Sequence, residues 1–237
     1  MVDIHSHLIP NIDDGSGSIE ETVAMLNEAK QAGFTDIILT SHYMEKAYEN
    51  KPEIIELWTE QLKKIVNNEN LDINLYTGNE LYISDNIEEL IRNKQVLTLA
   101  NSMYLLMELP LNSYVQYVGD AIFTLRAMHI TPIIAHPERY SYVQDNIDFV
   151  QVLINQGCLI QCNYASIIGV YGRKAEKTVK KLLKMDLVHF LGSDCHKPNT
   201  IYKKMPKIIA ELKKVTTEEQ LNCLTTENPK KILRNEI

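Results

Sequence analysis

Seven short β-rich runs, separated by longer amphipathic stretches, constrain this chain more than any other feature of its sequence. The runs are VDIHSH, TDIILTSH, INLYTGNE, MYLLMEL, TPIIAH, CLIQCN and LVHFLGSD. Helical periodicity fills the gaps. The first helix opens at Ser18, with Glu21 three residues on as in a capping box, and closes at QAG. Further helices are expected over 52–68, 84–93, 114–128, 146–156 and 173–185, and after the last strand near 204–214, 217–224 and 228–235. The basic stretch RKAEKTVKKLLKM sets Lys and Arg on one face and Val179, Leu182 and Leu183 on the other, the pattern of a solvated helix. Repeated βα units require a parallel sheet with right-handed crossovers, either open or closed into a barrel. At 237 residues and 45% hydrophobic, with no linker and no low-complexity segment, the whole of 1–237 is expected to form a single domain.

In such folds the site lies where the strands end. The first run ends in His5 and His7, two residues apart and therefore on one side of a strand. The second ends in His42, the third in Glu80, the fourth in Glu108, the fifth in His136, and the seventh in Asp194 followed by His196. Only the sixth, ending near Asn163, offers no obvious ligand. Five of the seven histidines thus fall on one edge of the sheet together with three carboxylates. Mixed imidazole and carboxylate donors suit Mn²⁺, Fe or Zn²⁺, and with Asp14 from the DDG loop they exceed the needs of one ion. Clustered ions lower the pKa of water and neutralise phosphoryl oxygens. Arg139, in AHPERY, follows the fifth strand and reads as a phosphate clamp, or else as a partner of a carboxylate such as Glu138.

The remaining titratable residues read as structural. His129 sits at a helix end, His189 lies early in its strand, and Cys195 points away from its neighbours Asp194 and His196 if the strand continues. The four cysteines form no CxxC pair, and no cysteine is followed six residues later by arginine, so thiolate phosphatase chemistry has no cradle. A formal charge of −7 argues against a nucleic-acid surface, and no apolar run is long enough for membrane insertion. With the first strand starting at once, no export signal is expected and the cytoplasm is the expected location.

The segments DIHSHLIPNIDDG, TSHY, GNELYI, LMELP, AHPERY and GSDCH, with TENPKKIL closing the chain, resemble the polymerase-and-histidinol-phosphatase (PHP) family. They are most similar to its manganese-dependent bacterial protein-tyrosine phosphatases of capsule and exopolysaccharide operons. The resemblance implies an α/β fold, a distorted (β/α)₇ TIM-like barrel, with two to three divalent ions, Mn²⁺ foremost and Fe or Zn²⁺ compatible. His5, His7, Glu80 and Asp194 would hold the first; Glu80, Glu108 and His136 the second; Asp14, His42 and His196 the third. Arg139 would bind phosphate. The resemblance also implies phosphotyrosine on a tyrosine kinase of polysaccharide export as substrate, and homo-oligomers. The expected function is a metal-dependent phosphomonoesterase in which hydroxide generated on the ions attacks phosphorus. The proton donor to the leaving group stays open among Asp14, Asp194, His42 and His196.

The sequence departs from its relatives in two places. Ile201 stands where a second arginine is usual, leaving Lys203 or Lys204 as substitutes, and Asn79 precedes the third-strand glutamate, where it would tune hydrogen bonds around the ligands. Tyr43, Tyr48 and Tyr140 are candidates to wall a groove for a phenyl ring. The rival readings are a histidinol-phosphate type of phosphatase, a barrel amidohydrolase, which would want lysine where Glu108 stands, and a non-catalytic metal-dependent binding module.

Overall fold

The computed structural model describes residues 1–236. Its strands are β1 (Val2–Asp3), β2 (Asp36–Leu39), β3 (His42–Met44), β4 (Tyr48–Glu49), β5 (Asn74–Thr77), β6 (Glu80–Tyr82), β7 (Tyr104–Glu108), β8 (Thr131–Ala135), β9 (Leu159–Asn163) and β10 (Phe190–Gly192). Its helices are α1 (Ile19–Gln31), α2 (Pro52–Asn68), α3 (Ile87–Arg92), α4 (Val118–Ala127), α5 (Ser141–Asp145), α6 (Asp148–Asn155), α7 (Arg173–Lys184), α8 (Met205–Leu212), α9 (Glu218–Asn222) and α10 (Asn228–Arg234). One sheet runs β1-β2-β5 and the other β10-β9-β8-β7-β6-β3-β4, with every pairing parallel except the β3–β4 hairpin.

All seven sequence runs form strands, but two of them are broken. The second run breaks at Thr40–Ser41 into β2 and β3, and the third at Gly78–Asn79 into β5 and β6. His42 and Glu80 therefore open strands β3 and β6 rather than closing longer ones, and they face each other as register partners. Asn79 fixes both breaks: its amide donates to Ser41 O at 3.0 Å and its Oδ1 accepts from Leu97 N at 2.8 Å. It ties down backbone and does not touch the ligand-type side chains, contrary to the expectation above.

The two sheets meet at a seam that makes the molecule a distorted seven-stranded TIM-like barrel. Asp194 N donates to His5 O at 2.8 Å, and His7 N donates to Cys195 O at 3.0 Å. On the other flank Ser6 exchanges bonds with Thr40. The close approach needs Gly192, because a Cβ there would fall 2.8 Å from both His5 Cβ and Gln161 Nε2.

Strand alternation sorts the core. Leu105, Met107, Ile134 and Ile160 join the large apolar cluster that includes helix residues such as Met25, Leu62 and Leu182. Leu106, Ile133, Ala135 and Phe190 join Val2, Ile4 and Ile38 in a second cluster. The next residue on the Leu106 side of β7 is Glu108, so polar side chains follow directly on an apolar floor. In α1, Ser18 Oγ accepts from Glu21 N, while the Glu21 carboxylate accepts from Gly17 N, one residue further back than in a closed capping box. Helix α7 spans Arg173–Lys184 and buries Val179, Leu182 and Leu183, as its period requires.

Candidate metal centre

All nine expected ligand-type residues join one contiguous cluster at the C-terminal rim of the barrel. Three groups within it have donor atoms lying within 4.8 Å of one another: His5, His7, Glu80 and Asp194; His7, Asp14, His42 and His196; and His42, Glu80 and Glu108. His136 joins through Nε2, 3.0 Å from Glu80 Oε1 and 3.7 Å from Glu108 Oε1. Glu80 is the hub, its Oε2 lying 3.1 Å from His5 Nε2, 3.3 Å from His7 Nε2 and 3.2 Å from His42 Nδ1.

Hydrogen bonds set the ring tautomers. Gln161 Oε1 can only accept, so His5 Nδ1 donates to it at 3.0 Å; Asp13 Oδ2 likewise accepts from His7 Nδ1 at 3.0 Å. Each ring thereby turns an Nε2 lone pair inward, the arrangement that orients histidine toward a metal. The two Nε2 atoms are 3.2 Å apart, and Asp194 Oδ1 lies 3.4 and 3.5 Å from them. Four acceptor atoms so close together, in a buried site, require positive charge between them. Buried His42 Nδ1 and Glu80 Oε2 also lack a hydrogen-bond partner among the described residues. The residues present therefore fit divalent cations.

Protons can answer the same need. Burial disfavours a charged ring, but Glu80 and Asp194 outweigh it and raise the His5 pKa to about 9. Burial, reinforced by Glu80, pushes Glu108 up to about 8. His42 goes the other way, to about 4, because burial exceeds the pull of Glu80. Burial opposes ionisation of Asp194, yet His5, His136 and His196 hold it below the usual carboxylate range. Below pH 8 both His5 and Glu108 carry protons that a cation must displace, and above pH 9 neither does. Apparent affinity for Mn²⁺ should rise steadily from pH 6 to pH 9, by roughly tenfold per pH unit for each proton displaced. Titration of chelator-stripped protein at three pH values measures this, and an affinity flat across that range would contradict it.

Arg139 lies beside the cluster. Its Nη1 donates to Asp194 Oδ2 at 2.8 Å, and its guanidinium carbon sits 4.6 Å from the centre of the Tyr171 ring. Glu138, the alternative partner, turns away to accept from Asn163 N and Ser166 Oγ. Four positioning residues were not identified from the sequence: Asp13, Gln161, Asn163 and Tyr171. Asn163 Nδ2 donates to Asp194 Oδ2 at 2.7 Å while its Oδ1 accepts from Gln161 Nε2, so β9 orients ligand-type residues without supplying one. A buried glutamine inside the apolar run CLIQCN was the available signal.

Other expectations are corrected. Tyr43 is buried in β3 with its hydroxyl on Gln95, and Tyr140 is buried with its hydroxyl bonded to Ala135 O and Leu109 N, so neither can wall a groove. Tyr48, in β4 rather than a loop, stacks on His42 at 5.9 Å. Lys203 donates to Asn199, Ile201 is buried and Lys204 is exposed; among the described residues neither lysine is paired with the cluster's carboxylates. Cys195 does point away, its Sγ facing Lys197 O and Thr200 Oγ1.

The family model described as "Capsular polysaccharide synthesis, CpsB/CapC" matches residues 1–234. CapC of Staphylococcus aureus is 35% identical over 236 residues, covering 100% of this chain and 92% of its own. The tyrosine-protein phosphatase CpsB of Streptococcus pneumoniae is 30% identical over 242 residues, covering 100% of each chain. Among solved structures, one from the crystal structures of YwqE from Bacillus subtilis and CpsB from Streptococcus pneumoniae, described as unique metal-dependent tyrosine phosphatases, superposes with a TM-score of 0.93. It is 28% identical, over 100% of this chain and 96% of that one. Fold and site together are those of the metal-dependent phosphatases. Within that class the chain belongs to the CpsB/CapC family, whose named members are tyrosine-protein phosphatases of capsule synthesis. No helix of the described residues is long and apolar enough to cross a membrane.

Proposed function

We propose that the chain removes phosphate from phosphotyrosine on a protein of capsular or exopolysaccharide synthesis, a tyrosine kinase of that system being the partner. It acts in the cytoplasm as a single domain over 1–237, forms homo-oligomers, and uses two to three divalent ions, with Mn²⁺ foremost. The observation that carries this reading is the convergence of the His5 and His7 lone pairs on Glu80 and Asp194 with Arg139 alongside.

His5, His7, Glu80 and Asp194 would hold one ion, Glu80, Glu108 and His136 a second, and Asp14, His42 and His196 a third. Bound there, the ions supply Lewis acidity that activates water and neutralises phosphoryl oxygens. The chain's own residues do the rest. Arg139, steadied by Asp194 and the Tyr171 ring, presents its remaining N–H groups to phosphate oxygens. Asp14 is held ionised chiefly by its bond to His196 and burial keeps His42 neutral, so near neutral pH neither carries an acidic proton for the leaving phenolate.

The test compares a phosphotyrosyl peptide with histidinol phosphate on chelator-stripped and Mn²⁺-reloaded protein. Expected are no turnover without metal and at least a roughly tenfold preference for the peptide on reloading. Preference for histidinol phosphate would end the substrate assignment, and peptide binding without turnover at any metal would leave a binding module.

A further inference from the structure

A hollow of about 520 Å³ opens at the end of the barrel away from the metal centre. Its walls include the first residues of four consecutive strands, Tyr104, Thr131, Leu159 and Phe190. Tyr104 and Phe190 are buried and, with Leu159 and Met103, give it an apolar floor. The size is that of a small-molecule site.

Its polar equipment is unusual for so acidic a chain. Arg126, His129, His189 and Lys231 line the hollow, and no aspartate or glutamate does. Arg126 is held flat: it donates to Thr131 Oγ1 and lies across Gly157, where φ is +91° and an added Cβ would come within 3.0 Å of its Nε. His189 Nδ1 accepts from Ile160 N at 3.1 Å, which places the ring proton on Nε2 and makes that nitrogen a donor. The Asn228 amide is already spent on His189 O. Among the described residues neither Arg126 nor Lys231 has an acidic partner. A guanidinium fork, an ammonium and an imidazole line one space whose described walls hold no carboxylate, Asp186 acting on His189 from outside them.

We infer that this hollow binds a small molecule bearing an oxyanion on a flat apolar ring. The ring rests on Tyr104, Phe190 and Leu159, and the oxyanion meets Arg126, Lys231 and His189 Nε2.

The test follows the methyl resonance of Met103 in metal-loaded protein carrying ¹³C-methyl methionine. Two probes serve: naphthalene-1-sulfonate, which holds no phosphate ester for the metal centre to cleave, and AMP. At least one should shift Met103 saturably. The pair Arg126→Ala and Lys231→Ala should weaken that binding by about tenfold or more, as should replacing the sulfonate with neutral naphthalene-1-methanol. Lys231→Glu, at an exposed position, should weaken it comparably while leaving the Arg126 packing intact. Turnover of p-nitrophenyl phosphate should stay unchanged in all three variants. Met103 unmoved by either probe at several millimolar, or equal affinity in the charge variants or for the neutral alcohol, overturns the proposal.

Discussion

Glu80→Gln should reduce phosphatase turnover by roughly a thousandfold or more while leaving the far-ultraviolet circular dichroism unchanged. Glu80 reaches three of the rings through one oxygen and His136 through the other. The amide keeps the shape of the side chain, removes its charge, and turns one acceptor into a donor. That donor would hydrogen-bond to the inward lone pairs of the rings and so withdraw them from a cation. Elemental analysis should show fewer ions bound per chain, and the effect should exceed that of losing Asp14, which is more than half exposed and serves one group only. Near-normal turnover in Glu80→Gln would show that the cluster is not the seat of the chemistry.

Arg139→Lys is the second large effect, and it separates geometry from charge. Both side chains are cationic, but only guanidinium can lie flat on the Tyr171 ring, donate to Asp194 and still present further N–H groups to phosphate. The lysine variant should lose activity by about a hundredfold or more in kcat/KM, nearly as much as Arg139→Ala. Vanadate inhibition should weaken in parallel, whereas ion content stays near that of the parent. The penalty should be severe here because Lys203 is tied to Asn199 and, among the described residues, no lysine pairs with the cluster. A lysine variant with most of the activity would mean that Arg139 provides charge alone.

Most of this architecture could be read from the chain because its two periodicities are uninterrupted where the core is deepest. Runs such as TPIIA and YLLM alternate between two apolar clusters, and the residues that follow them, His136 and Glu108, reach the rim as the strand rule requires. The broken strands were not legible. Gly78 and Asn79 look like ordinary strand residues until Leu97 and Ser41 are seen to claim Asn79, and those partners lie 18 and 38 positions away. Aromatic residues misled for a related reason: Tyr43 and Tyr140 follow ligand-bearing positions but spend their hydroxyls inside the core. Asp13 and Asp14 are indistinguishable by type. Only the fold shows that the first orients His7 while the second faces His42 and His196.

Two residues of the centre sit in left-handed backbone, His136 with φ 35° and Asp194 with φ 51°. Neither is glycine, so each holds about 1–3 kcal/mol of local strain that the surrounding packing must resist. The rim is therefore the part of the barrel most ready to let go. Stripping the ions should speed amide hydrogen exchange at residues 136–139 and 193–196 well before it touches Leu106 or Ile133 in the floor beneath. Uniform acceleration across both levels would show instead that the barrel loosens as one body.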